Sequence, residues 1–258
     1  MPYAFAHPAA VVPVAKLLGR RAVPSALAIG SMVPDAWYLV PLLERDHSHA
    51  GLSGIALCLV AGLLAYMAFH LVFKQPLLAL FPRRIAACAV NWMTPGLPAV
   101  PWRWVMISLL AGIGTHLAWD AFTHRGHFEF VEAVLFPGVP VYRGLQHAST
   151  LLGTAFLAGW LWTKLRAVPA RAVIPQAPRA LRVAAVAAML ILPVAALLFA
   201  VDTVEGIDWR TWLRAAAVIA VSTLGLVALT FCVAWRLSPR LRARPRPQAR
   251  ACATARPR

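Results

Sequence analysis

Apolar positions in this chain come in long unbroken blocks, neither alternating as in a half-buried strand nor recurring as the stripe of a surface helix. A helix rises about 1.5 Å per residue, so crossing a hydrocarbon core about 30 Å thick takes roughly 20 mostly apolar residues. Three blocks meet that length: Gly51 to Phe73, Val183 to Val201 and Ala215 to Trp235. Two more are shorter or carry polar groups, one from Trp104 through Trp119 into Asp120 and one from Ala148 to Thr163. The first fifty residues hold two apolar stretches, Phe5 to Leu18 and Ser25 to Leu43, around a basic turn with Lys16, Gly19, Arg20, Arg21 and Pro24. The pattern predicts an all-α, polytopic transmembrane helical bundle of five spans preceded by an N-terminal helical hairpin. The first arm of the hairpin is short for a full crossing and is expected to be partly re-entrant, buried by protein.

Charge orients the spans. Lys74, Arg83, Arg84 and Arg103 follow the first long block, and Lys164, Arg166, Arg171, Arg179 and Arg182 separate the third span from the fourth. Arg236, Arg240, Arg242, Arg244, Arg246, Arg250, Arg256 and Arg258 crowd the tail, which has no acid. Basic loops stay cytoplasmic. The acids lie in the alternate connections, Glu129 and Glu132 in one and Asp202, Glu205 and Asp208 in the other. These connections are expected outside, and the C-terminus inside. Three units are expected: a His- and Asp-bearing membrane domain over residues 1–165, an added pair of spans over 166–237, and a disordered Arg-rich cytoplasmic tail over 238–258.

Composition agrees with a membrane protein. Hydrophobic residues make up 60% and charged residues 13%, against about 45–50% and about 25% in soluble domains. The net charge of +16 would point to nucleic acid in a soluble chain. Here the basic residues sit between apolar blocks and in the tail, so the expected partners are membrane lipids, with anionic headgroups at the tail, and no nucleic acid. The four cysteines have neither metal-ligand nor disulfide spacing and are expected to be free thiols. No basic residue precedes the first apolar stretch, so that stretch does not read as a cleavable signal peptide.

The chemistry-bearing residues are unevenly spread. All eight histidines precede residue 148. His116, Asp120 and His124 recur at spacing four, which puts them on nearly one helix face. A carboxylate inside an apolar span is costly and usually functional. Imidazoles with carboxylates suit Zn²⁺ or a similar divalent ion. One helix cannot wrap an ion with such a stripe, so partners must come from elsewhere. The charge-derived topology puts His7, Asp35, His47, His49, His127 and His147 at the same outer face, with His70 at the inner one. For His70 a packing role is expected, and for His49 and His127 a solvated loop competes with ligation. Asp35, after Pro34, also suits a turn cap. An interhelical hydrogen-bond network without metal is the plain alternative for the stripe.

The same residues carry a resemblance. Phe5-Ala-His7-Pro8-Ala9-Ala10-Val11, then Ser25 through Gly30-Ser31-Met32-Val33-Pro34-Asp35, His47-Ser48 and Phe69-His70 resemble a family of uncharacterised bacterial membrane proteins. So do His116-Leu-Ala-Trp-Asp120-Ala-Phe-Thr-His124 and Tyr142-Arg-Gly-Leu-Gln-His147, and the likeness covers residues 1–165 most closely. More distantly the order His7, Pro34-Asp35, His47 and His116/Asp120 is similar to the membrane-bound metal-dependent hydrolases of the YdjM type. Trp37 stands where those hydrolases carry a second acid. A looser analogy runs to zinc-dependent phospholipases. The resemblance, with the ligand set, implies a metal-dependent hydrolase in the bacterial cytoplasmic membrane.

The expectation is therefore a divalent ion, zinc, held by His47, His116 and Asp120 with His7 and His147 in the ligand set. It would act at the outer membrane–water interface on a lipid or lipid-linked ester. Asp35 or His124 would serve as general base. A non-enzymatic membrane scaffold and a proton- or ion-coupled transporter are the rival expectations.

Overall fold

The computed structural model describes residues 4–36, 51–83, 85–86, 89, 100–125, 128–136, 139–167, 176–201 and 209–238. Helix dominates. A 3-10 turn over Ala4–Ala9, carrying Pro8, leads into α1 (Val11–Leu18). Gly19, at φ 55°, ends α1 in a conformation that other residues rarely adopt. A second 3-10 turn, Gly19–Arg21, then reaches α2 (Pro24–Ala36), which opens on a proline, where the missing N–H costs nothing. At eight residues α1 is about 12 Å long, well short of a bilayer.

Helix α3 runs over Gly51–Leu80, with a π-helical turn at Phe69–Phe73 between its α-helical parts, and α4 spans Trp102–Thr123. A short helical turn, α5 (Glu129–Glu132), precedes a small antiparallel hairpin of β1 (Val134–Phe136) and β2 (Val139–Pro140). Next come α6 (Val141–Ala167), α7 (Arg179–Val201) and α8 (Trp209–Leu237). The hairpin departs from the all-α expectation, in a stretch whose β-branched and aromatic residues favour extended backbone.

Among the described residues, four helices are long and apolar enough to cross a membrane: Gly51–Leu80, Trp102–Thr123, Arg179–Phe199 and Ala215–Leu237. Between 11% and 39% of each apolar window is buried, the inverse of a soluble core. The Ala148–Thr163 block lies inside α6, which is long enough at 27 residues but is not among these four.

The bundle is organised around α2, which packs most extensively on α4 and also meets α3 and the Ala4–Ala9 turn. The buried positions of α4 are Val105, Ser108, Leu109, Gly112, Ile113, His116, Asp120 and Thr123, a three–four repeat that defines one face. Its crossing with α2 is close because two glycines meet there. A Cβ on Gly112 would sit 2.8 Å from the Ser31 nitrogen, and one on Gly30 would press on the Leu109 carbonyl. Small residues at such a crossing let two backbones touch. Val23, Ala26, Tyr66, Val105 and Leu109 form one core cluster, and Val33, Cys58 and Ile113 continue it along the bundle.

Helices α7 and α8 pair with each other and dock on the far part of α3, through Ala79, Ala185, Phe231, Cys232 and Trp235. Arg236 of α8 donates to the Val72 carbonyl in the π-helical turn (3.2 Å).

Candidate metal centre

Three separate elements deliver the polar cluster. His7 comes from the Ala4–Ala9 turn, Asp35 from the last turn of α2, and His116, Asp120 and His124 from the end of α4. His7, His116 and Asp120 are buried, and the Asp35 and His124 side chains are nearly so.

The geometry is a closed ring of alternating imidazoles and carboxylates. His7 Nε2 lies 3.8 Å from Asp35 Oδ2 and 3.9 Å from Asp120 Oδ1. His116 Nε2 lies 3.7 Å from Asp35 Oδ1 and 3.4 Å from Asp120 Oδ2. The two imidazole rings are 4.1 Å apart between centroids and tilted by 31°. Each carboxylate thus offers one oxygen to each histidine. These separations exceed the usual N–H···O distance of about 2.7–3.2 Å. A tetrahedron whose corners lie about 2.0–2.2 Å from a common centre has an edge of about 3.3–3.6 Å; the His116–Asp120 separation falls in that range and the other three exceed it by about 0.1–0.3 Å. One ligand atom from each of His7, His116 and Asp120 can be chosen so that all lie within 4.8 Å of one another.

Charge supports the same reading. Two neutral imidazoles and two carboxylates carry a charge of −2 in a nearly dry site, which is expensive without compensation. One divalent cation neutralises it. The donor set of nitrogen and carboxylate oxygen fits zinc and its neighbours better than calcium or magnesium, which prefer oxygen alone.

The orientation of His116 is fixed from behind. Its Nδ1 donates to the Ser31 carbonyl at 2.9 Å, which leaves the Nε2 lone pair facing the carboxylates. Ser31 lies one turn before Asp35 on α2, so one strip of backbone aims His116 and also supplies Asp35. On the other side, His124 Nδ1 is 3.4 Å from Asp120 Oδ1 and 3.2 Å from the Thr123 hydroxyl. The Thr123 carbonyl accepts a 2.7 Å bond from Gln146, which ties the end of α4 to α6.

Of the residues expected at the site, His7, Asp35, His116, Asp120 and His124 converge. His147 does not join them: it is exposed on α6, and its neighbour Gln146 is the buried residue facing α4. A step of one residue turns a helix by about 100°, and the sequence does not say which of the two faces inward. His47, His49 and His127 lie outside the described residues. His70 is at the opposite end of the bundle, buried beside Tyr66 (ring centroids 4.4 Å apart) with its Nε2 3.0 Å from the Ser25 hydroxyl. Helix α2 therefore runs from the His70 end at Ser25 to the His116 end at Asp35. Sequence reasoning passed over Gln146, Ser31 and the Gly30–Gly112 contact. The two glycines inside helical segments were the available signal for the last.

The fold and the cluster together define a class: a polytopic α-helical protein with apolar spans and a buried His/Asp ring near one end of them. The chain belongs to the family described as "Domain of unknown function (DUF4184)", whose sequence model matches residues 1–235. No curated protein and no solved structure matches the chain.

Proposed function

We propose that the chain is a membrane-bound metal-dependent hydrolase. One observation carries this reading: the ring of His7, Asp35, His116 and Asp120 at 3.4–3.9 Å, backed by the Ser31 carbonyl on His116. His7, His116 and Asp120 would hold a divalent ion, zinc, with Asp35 as a further ligand. His47 would complete the set, and His147 is set aside because it is exposed and apart from the ring. When bound, such an ion supplies Lewis acidity to an ester carbonyl or phosphoryl oxygen. Asp35 and His124 are the more accessible members of the cluster, so they are placed to take a proton from water.

In this reading α6 is a fifth span, the first 36 residues form a hairpin folded into the bundle, and the basic tail is cytoplasmic. The His/Asp ring then faces the outside of a bacterial cytoplasmic membrane, where lipids and lipid-linked esters are the available substrates. A transporter fits less well. Among the described residues, the polar groups at the two ends are separated by the apolar clusters around Leu109 and Ile113, in which Ser108 is bonded to the Val23 backbone. A scaffold would use the ring as a metal-free helix clasp.

Metal analysis separates the readings. Detergent-purified wild-type protein is expected to hold close to one zinc per chain, and His116→Ala and Asp120→Asn very little. A folded wild-type protein that takes up no zinc, cobalt or manganese would leave the scaffold ahead.

A further inference from the structure

The connection between α4 and α6 carries Glu129 and Glu132, and by charge it reads as a loop in water. Its apolar side chains point to a different environment. Phe122, in the last turn of α4, stacks on Phe128 with centroids 5.2 Å apart, and Phe128 stacks on Phe130 at 5.6 Å. The chain has therefore folded back. Phe128 lies against the final turn of a spanning helix rather than beyond it, and Phe130 lies beside Phe128. All three rings, with Phe136 on β1, are 43–64% exposed, and Val134 is more open still. The three stacked rings form a contiguous apolar surface of a kind that water-facing loops seldom present, and Phe136 and Val134 add exposed apolar area on the hairpin that follows.

The surroundings of these rings identify what covers them. Phe122 continues the outward stripe of α4 that includes Ile107 and Leu110, both exposed on a helix long and apolar enough to span. A spanning helix presents such a stripe to acyl chains, and the three rings extend it. The polar groups sit where a bilayer boundary requires. Val131 is buried, while Glu129 and Glu132 are exposed on the same short turn. The guanidinium groups of Arg125 and Arg143 lie 5.1 and 6.0 Å from the centre of the Tyr142 ring. Arginine and tyrosine together are the usual furniture of the headgroup level.

We propose that the α5–hairpin segment is seated in the bilayer, its Phe128, Phe130 and Phe136 side chains among the acyl chains of the leaflet on the His/Asp side, and that its partner is phospholipid. Thr123 and His124 immediately follow Phe122, and His124 contacts Asp120. A lipid resting on this surface holds its headgroup level with the rim of the ring. That consequence for substrate rests on the hydrolase reading; the seat in the bilayer does not.

The test places the photoreactive amino acid benzoylphenylalanine at position 130, and separately at 132, in otherwise native full-length protein in phosphatidylcholine–phosphatidylglycerol nanodiscs. After irradiation, intact-mass analysis of the Phe130 variant is expected to show a major product heavier by one phospholipid, at least fivefold more abundant than for the Glu132 variant. Equal and low lipid adducts at both positions would put the segment in water and overturn the proposal. A product of twice the chain mass at position 130 would show that a second copy covers the rings, and would also overturn it. Nitroxide labels at Phe130→Cys and Glu132→Cys give a second reading, with oxygen relaxing the first more than a water-soluble nickel complex and the reverse at the second. Zinc content is measured on the same samples. An empty metal centre beside a strong lipid adduct would sink the hydrolase reading and leave the membrane seat standing.

Discussion

A methyl group at Gly112 tests whether the α2–α4 crossing builds the proposed metal centre. The glycine has no side chain to offer the site, yet its Cβ would meet the Ser31 nitrogen at 2.8 Å and the Gly30 carbonyl carbon at 3.0 Å. Unstrained contacts of this kind need about 3.5 Å. Both obstacles are backbone in a packed helix and cannot swing aside, so the helices must part by roughly 0.5–1 Å, since separations near 3.5 Å are the norm. The 2.9 Å bond from His116 to the Ser31 carbonyl crosses the same gap. Lengthened by that amount it lies outside hydrogen-bond range, and His116 loses the partner that aims Nε2. Removing such a partner typically costs about 10–100-fold in metal affinity. Overpacking of this kind costs about 1–3 kcal/mol of stability. Gly112→Ala is therefore expected to weaken zinc binding at least tenfold in a chelator competition titration and to lower the thermal midpoint. Gly114→Ala is the control. It lies on the same helix with nothing within 4 Å of its Cβ, and should leave affinity unchanged and stabilise the helix by up to about 1 kcal/mol. Wild-type affinity and melting in Gly112→Ala would refute the reasoning, because the helices would then tolerate a methyl where the geometry has no room.

His70→Ala is expected to keep full zinc content, in contrast to His7→Ala, which should lower it at least tenfold; metal analysis of both decides whether the two ends of the bundle are chemically separate. Ser25→Ala removes the half-buried bond to His70 and should cost about 0.5–1 kcal/mol without altering metal content, read from chemical or thermal unfolding in detergent. Zinc affinity should fall as pH drops below the ordinary imidazole range near about 6.5, because each ligating histidine must first lose a proton; a titration flat between pH 5 and pH 8, values chosen to bracket that range, would argue against imidazole ligands. A reporter active only outside the cytoplasm should work when fused after Asp208 and fail after Arg240, and the reverse would put the ring on the cytoplasmic side.

The sequence alone marked the four helices long and apolar enough to cross a membrane and the composition of the central His/Asp stripe. Long apolar runs can only be helices in a bilayer, since every backbone group must be bonded within its own segment. Spacing of four fixes a helix face before any partner is known, so His116, Asp120 and His124 were legible as a unit. Some boundaries moved outward, as when Trp104–Asp120 became Trp102–Thr123, while the Phe5–Leu18 arm split into a 3-10 turn and the shorter helix Val11–Leu18. Tertiary structure decided which other groups reach that stripe. His7 arrives from a short 3-10 turn interrupted by Pro8, which no helical period would place. Asp35 and the Ser31 carbonyl arrive together because Gly30 and Gly112 let α2 and α4 touch. Gln146 faces inward where His147 was expected, and the difference is the rotation of α6 about its own axis. Periodicity fixes positions within one helix. The depth, crossing and rotation that bring several helices to one point are set by packing between residues far apart in the chain, and a single sequence does not contain them in readable form.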